Sequence, residues 1–415
     1  MGKMKFGRFD YAAFLLFMAY AVCSLIIPVV LVEVAHDLNF DLDKGGMSAG
    51  GVLQAGRSAT MVGAMLVCSM LACRFGLRKS LSTAALFMAG GITLAAFSQW
   101  YWMLLVVLII AGIGEGLVEG LATPFIGELH KDDEPGRYMN FSHGFWSVGI
   151  FGCIPLLGWL LNCNVSWRIL CLLVAVGTLI PCVMLFAPGK KRIERLEGKG
   201  RFDAAGSLKN AWNIIKCRQF WLFFAAMFVA GGGEFGATFW CASLLRLDYN
   251  ASPWIGGLAT AVFSAGMMIG RTGSGLLVSQ KNLPRLIMIF AVCGAVLSCF
   301  FIVSGSVISV MVLLFFVGLA SAPFWPSVQS YSVDRLGHLD STTLYILLSC
   351  AGVPGCGVLS WVMGTVGDCW GLKTAFLAVP VCYMILASLI AFDYYVCNGS
   401  KNRQCLKDKS AGVTE

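Results

Sequence analysis

Twelve apolar runs of about 20 residues, the length a helix needs to cross the hydrocarbon core of a bilayer, divide this chain almost from end to end. They fall near 10–35, 46–72, 80–98, 101–127, 140–162, 167–187, 219–246, 253–278, 285–304, 307–334, 341–366 and 373–396. In lipid every backbone N–H and C=O must find its partner within the segment, so such runs are helices. The expected fold class is therefore all-α integral membrane, with twelve transmembrane helices. Composition agrees: 58% of the 415 residues are hydrophobic and 13% are charged, against about 25% charged in a soluble domain.

The longest polar interruption, 188–218, splits the runs six and six. The expected organisation is a six-helix bundle over 1–187, a cytoplasmic linker over 188–218, a second bundle over 219–396 and a cytoplasmic tail over 397–415. If the N-terminus lies inside, 24 of the 30 Lys and Arg fall in inside segments and four in outside loops, while Arg57 and Arg271 lie within spans. That bias follows the positive-inside rule. It places both termini in the cytoplasm and assigns the net charge of +8 to membrane orientation rather than to nucleic acid. The first run continues at full span length with no small-residue cleavage site behind it, so no cleaved signal peptide is expected. Within the linker, Phe202, Leu208, Trp212 and Ile215 share a helical face among Lys209 and Lys216. A short amphipathic helix on the inner surface and an ordinary linker are both open readings.

The halves echo one another. Gly120-Leu-Ala-Thr-Pro-Phe in span four resembles Gly318-Leu-Ala-Ser-Ala-Pro-Phe in span ten, and Gly56-Arg57 in span two has a counterpart in Gly270-Arg271 of span eight. Repeated six-span units are the sequence mark of a two-bundle secondary transporter with its site at the bundle interface near the midplane. A solute pathway there needs polar groups where lipid disfavours them. A carboxylate at the centre of a spanning helix costs about 2.5–3.5 kcal/mol on insertion scales and usually marks an ion, proton or substrate path. The ionisable residues deep in spans are Arg57, Glu115, Glu119, His143, Glu234 and Arg271. Glu119, Glu115 and Glu234 are the candidate proton-coupling acids. Glu115 lies one turn from Glu119, and Glu234 follows Gly231-Gly232-Gly233, where a weakened helix can line a cavity. A static Glu–Arg pair joining helices is the competing reading for each, and Arg57 and Arg271 are expected in structural or gating roles.

Sugars need amides and carboxylates for hydroxyls and flat aromatic faces for C–H surfaces. Asn140, His143 and Trp146 in span five, Gln54 in span two, Tyr20 in span one, Trp240 in span seven, and Trp325 and Gln329 in span ten are the candidate substrate contacts. Most of the 17 Cys lie in apolar runs, where a free thiol behaves as a small hydrophobe. None has zinc spacing, so neither metal nor cofactor is expected. The four His are scattered and the outer loops are short, which argues against an enzyme. No G-x-x-x-x-G-K-[ST] motif supports direct ATP drive.

The two-half layout resembles the major facilitator superfamily. Arg74-Phe-Gly76-Leu-Arg78-Lys79 between spans two and three resembles that superfamily's loop signature Asp-Arg-x-Gly-Arg-Lys, with Cys73 in place of the Asp and Leu77 inserted. The resemblance gives Arg74 a gating role. Glu119-Gly-Leu-Ala-Thr123-Pro124-Phe125 resembles the Glu-x-x-x-Asn-Pro-Phe of fucose–proton symporters, with Thr123 in place of Asn, and it implies a proton-coupling Glu119. Asn140…His143…Gly149, Gly232-x-Glu234 and Gly352-Val-Pro-Gly355-Cys-Gly357 are similar to elements of the fucose/glucose/galactose permease branch. That branch's acid in span one is Ser24 here. The resemblance implies a two-bundle, pseudo-symmetric major facilitator fold working as a monomer. The expected function is proton symport of a monosaccharide or derivative across the plasma (inner) membrane. Sodium coupling, or export of another small polar metabolite or drug, is the alternative.

Overall fold

The computed structural model describes residues 5–130, 135–187 and 204–397, and the regular structure among them is all helical. The helices are α1 (Arg8–Asp37), α2 (Met47–Phe75), α3 (Leu77–Ala96), α4 (Tyr101–Leu129), α5 (Pro135–Asn162) and α6 (Trp167–Phe186), then the short α7 (Ala204–Lys216). There follow α8 (Arg218–Asp248), α9 (Pro253–Leu277), α10 (Leu283–Cys299), α11 (Val307–Ser321), α12 (Phe324–Arg335), α13 (Ser341–Trp370), α14 (Leu372–Ala375) and α15 (Ala378–Ala391). Among the described residues twelve helical segments are long and apolar enough to cross a membrane, α11 with α12 and α14 with α15 each making one. Helices α1–α6 form one bundle and α8–α15 the other, each held by its own helix pairs: α3 on α4 and α6, α1 on α5 and α6, α13 and α15 on α8, α9 on α11, α10 on α15.

Local chemistry sets the ends. The Ser166, Ser252 and Ser306 hydroxyls and the Asp340 carboxylate accept first-turn N–H groups of α6, α9, α11 and α13, the usual N-cap bond. Helices α2 and α13 both stop at a glycine with positive φ, Gly76 at +86° and Gly371 at +82°, a conformation that side chains resist.

Prolines divide the two echoing spans differently. Pro124 sits inside an unbroken α4. Span ten carries Pro323 and Pro326, three residues apart, and breaks between α11 and α12. Each proline lacks the N–H that would bond the carbonyl four residues earlier, so Leu319 and Ala322 both lose their donor. Two such freed carbonyls among the described residues are recovered by arginine. Arg271 Nε donates to Ala322 O at 3.2 Å, and Arg57 Nη1 donates to Ser24 O, freed by Pro28, at 3.2 Å. The Gly-Arg echo of the two halves thus has the same local task on each side.

The bundles meet mainly along two seams, α2 on α13 and α5 on α9, with a smaller contact of α1 on α8. Both seams are tight in the half of the membrane away from the termini. A methyl group built on Gly51 would lie 2.5 Å from Trp361 Cα, and Gly158 and Gly257 face each other's backbone. Across the same face Arg246 of α8 pairs with Glu33 of α1 at 2.5 Å. Toward the terminus-bearing face the close approach ends: a methyl group built on Gly63 of α2, Gly144 of α5 or Gly273 of α9 would meet nothing within 4 Å. The structure is therefore closed on the face away from the termini and splayed on the other.

Helix α7 is the short helix of the linker; Ile214 is buried while Leu208 and Trp212 are exposed, and Phe202 lies outside the described residues. So do 188–203 of the linker and 398–415 of the tail. We keep 1–187 and 219–396 as the proposed bundle limits.

Candidate functional site

The first polar cluster joins α1, α2 and α4 inside the N-terminal bundle. Arg57 Nε donates to Glu115 Oε2 at 2.6 Å and Nη2 donates to Glu115 Oε1. The guanidinium also reaches Cys23 O at 2.6 Å as well as Ser24 O, and Ser24 Oγ donates to Glu115 Oε1 at 3.2 Å. The two charged side chains are 2% and 1% exposed. A forked guanidinium–carboxylate pair of this kind fixes geometry. Glu115, read from sequence as a coupling acid, is placed here in the competing arrangement, a paired acid tying three helices. Ser24→Ala should cost about 1.5–3 kcal/mol, the range for a hydrogen bond to a charged group, read as a lower midpoint of thermal unfolding in detergent.

Glu119 is placed otherwise. It is half-buried, and its carboxylate accepts from Tyr20 Oη at 3.3 Å. Among the described residues no Lys, Arg or His contacts it. Tyr20 packs edge-on against Trp146, with ring centroids 4.5 Å apart. His143 lies one turn nearer the open face, exposed, with Nε2 2.8 Å from Thr123 Oγ1 and its ring 4.6 Å from Phe17. The structure thus brings Tyr20, Glu119, His143 and Trp146 together from α1, α4 and α5. The side chain of Asn140 lies outside the described residues.

The C-terminal bundle presents a looser ion pair. Arg271 Nη2 donates to Glu234 Oε1 at 3.0 Å, and the two side chains are 33% and 16% exposed. Glu234 Oε2 is buried with no hydrogen-bond partner among the described residues. The Arg271 charge reaches Glu119 and His143 of the opposite bundle. Cys356 of α13, its thiol donating to Gly231 O at 3.4 Å, lies within electrostatic reach of Tyr20, Glu119 and Glu234. These residues define one polar centre between the bundles, reached from the splayed face. Net of the closed Arg57–Glu115 pair, it holds two carboxylates and one guanidinium.

Other expected contacts are placed less directly. Gln329 Nε2 donates to Ser349 Oγ at 3.1 Å and is half-buried. The Trp325 ring lies over Gly352 and Gly231, so those glycines make room for the indole. Gln54 is buried and donates to Ser58 Oγ at 3.3 Å. Trp240 is 0% exposed and its N–H donates to Ser360 O at 2.9 Å. It packs against Gly50 at the closed seam, away from the polar centre, and has no free face for a solute. Arg74 is exposed over Phe75; the buried cation of its motif is Arg78, which donates to Leu185 O and Phe186 O at the end of α6. That is favourable for a cation at a helix C-terminus.

Sequence reasoning missed Cys356, Asp368 and the Glu33–Arg246 pair. It also missed the wholly buried Asp393, which accepts from Gln219, Tyr331 and Arg335 at 2.5–2.8 Å. The charged residues among these gave a weak signal, since each sits near a span end, where a charge is ordinary; Cys356, in mid-span, reads as one more small hydrophobe.

A family model described as Major Facilitator Superfamily matches residues 12–352. Among curated proteins, synaptic vesicle glycoprotein 2B of Rattus norvegicus is 26% identical over 227 residues, which are 51% of this chain; the chain spans 31% of that relative's length. Among solved structures, the fucose:proton symporter of E. coli aligns with a TM-score of 0.64 at 16% identity, over 92% of this chain and 98% of that one. The nucleoside transporter NupG aligns with a TM-score of 0.73 at 14% identity, over 94% and 98% of the two chains. At these identities the structural likeness shows the fold alone.

Proposed function

This chain belongs to the major facilitator superfamily, and on that premise we propose that it is a proton-coupled symporter importing a monosaccharide or sugar derivative by alternating access. The supporting observation is Glu119: a half-buried carboxylate in mid-span, held by one phenol and contacted by no cation among the described residues. Such a group can take up and release a proton without breaking an ion pair. Glu234 and Arg271 face it from the second bundle, and Tyr20, Trp146, His143 and Gln329 supply flat apolar faces and hydrogen-bond groups. Coupling follows when solute binds better to the Glu119-protonated state than to the ionised one. The proposal includes cytoplasmic termini, an inner-membrane location and a monomeric working unit.

A second reading, transport of another polar metabolite such as a nucleoside, is favoured by the Tyr20–Trp146 wall, which would stack on a base as well as on a sugar ring. Uptake of labelled fucose, glucose, galactose and uridine into proteoliposomes distinguishes them, under an inward proton gradient and separately under a sodium gradient. Proton-driven sugar accumulation is expected. Uptake of uridine alone moves the assignment to the second reading, and dependence on sodium alone removes the proton.

A further inference from the structure

We propose that Asp368 is a helix cap lent by the C-terminal bundle to the N-terminal bundle, and that it holds the outer seam closed. Helix α2 starts at Met47, and the residue before it, Gly46, has no side chain with which to cap it. The first N–H groups of any helix lack intrahelical partners. Here two of them are filled from the other bundle. Met47 N donates to Asp368 Oδ1 and Ser48 N to Asp368 Oδ2, both at 2.8 Å, across 321 and 320 residues of sequence. Both carboxylate oxygens are used, and their charge sits at the positive end of the α2 dipole, where an anion is favoured.

The cap is built into the seam rather than lying beside it. Gly364, one turn before Asp368, lies against Met47 O and Ser48 Cα, and Gly367 lies against Met47 Sδ. A side chain at Gly364 would push α13 off the start of α2. Any movement that opens the outer face parts these helix ends, and Gly46 cannot replace the lost acceptor. The two hydrogen bonds therefore exist in the closed state and not in the opened one. Such a differential contact is what biases a two-state equilibrium. A merely local cap would stabilise the first turn of α2 and leave the rest of the seam unaffected.

Hydrogen exchange of the full-length protein, read by mass spectrometry in detergent and in nanodiscs, separates these cases without any solute. Asp368→Ala should speed exchange in the first turn of α2. It should also speed exchange at 154–158 and 253–257, the α5–α9 seam that Asp368 does not touch. The expected acceleration is at least about tenfold, since two charge-assisted hydrogen bonds are lost and each corresponds to about tenfold or more. Asp368→Asn, which keeps one carbonyl acceptor, should fall between wild type and Ala at both seams, and it carries the test if the Ala variant does not fold. Acceleration confined to 47–50 would overturn the proposal, as would no acceleration at all. A uniform loss of protection that includes the α3–α4 contact inside the N-terminal bundle would also overturn it, by making Asp368 a general stability residue.

Discussion

Glu119→Gln should abolish proton-driven accumulation while leaving solute exchange across the membrane intact. Glutamine has nearly the shape of a protonated glutamate, and its carbonyl oxygen can still accept the Tyr20 hydroxyl that Glu119 accepts at 3.3 Å. The recognition geometry therefore survives, and the change removes the ability to lose a proton. With one proton per solute, an inward gradient of about one pH unit can support accumulation of about tenfold. The wild-type protein should approach that ratio in proteoliposomes, and the Gln variant should stop at one. Counterflow of labelled against unlabelled sugar needs no net proton movement, so it should continue at a comparable rate. A variant that still accumulates solute would transfer the coupling role to Glu234. Loss of counterflow as well would mean that Glu119 is needed to bind solute and not only to couple it.

The sequence made some of this legible and hid the rest for identifiable reasons. Span limits were readable because hydrocarbon thickness fixes them: the run expected at 253–278 is α9 at Pro253–Leu277, and that at 101–127 is α4 at Tyr101–Leu129. The break in span ten was not, because a proline inside a span has two outcomes. Pro124 is absorbed within α4, whereas Pro323 and Pro326 remove two donors within one turn and α11 stops. Residue type also could not tell Glu115 from Glu119, one turn apart on one helix. What separates them is Arg57, contributed by a different helix, and the fold alone decides which acid it meets. For the tryptophans, Trp146 and Trp240 carry the same indole, yet one lines the polar centre and the other is sealed into the seam beside Gly50. Asp368 was the least visible, because its partners are backbone N–H groups some 320 positions away, and no side-chain pattern records them.

Arg57→Ala should be the most destabilising single substitution among the ionisable residues of the spans, by about 3–5 kcal/mol, the cost of leaving one member of a buried ion pair unmatched. Three losses coincide. The Glu115 carboxylate, 1% exposed, loses both of its guanidinium contacts and keeps one hydroxyl, from Ser24. The Ser24 carbonyl, already deprived of its helical donor by Pro28, loses the replacement, and the Cys23 carbonyl loses its guanidinium contact. Unfolding in detergent, followed by heat or denaturant, should show the drop. Replacing both members, Arg57→Met with Glu115→Met, should recover much of it, since no charge is then left unmatched and the volume stays filled. If Glu115 holds helices together and does not carry the proton, that double variant should still accumulate sugar under a proton gradient, at reduced yield of folded protein. A stable double variant that binds and exchanges sugar but has lost gradient-driven uptake would instead place Glu115 in the proton path, with Arg57 as the counter-charge it must leave.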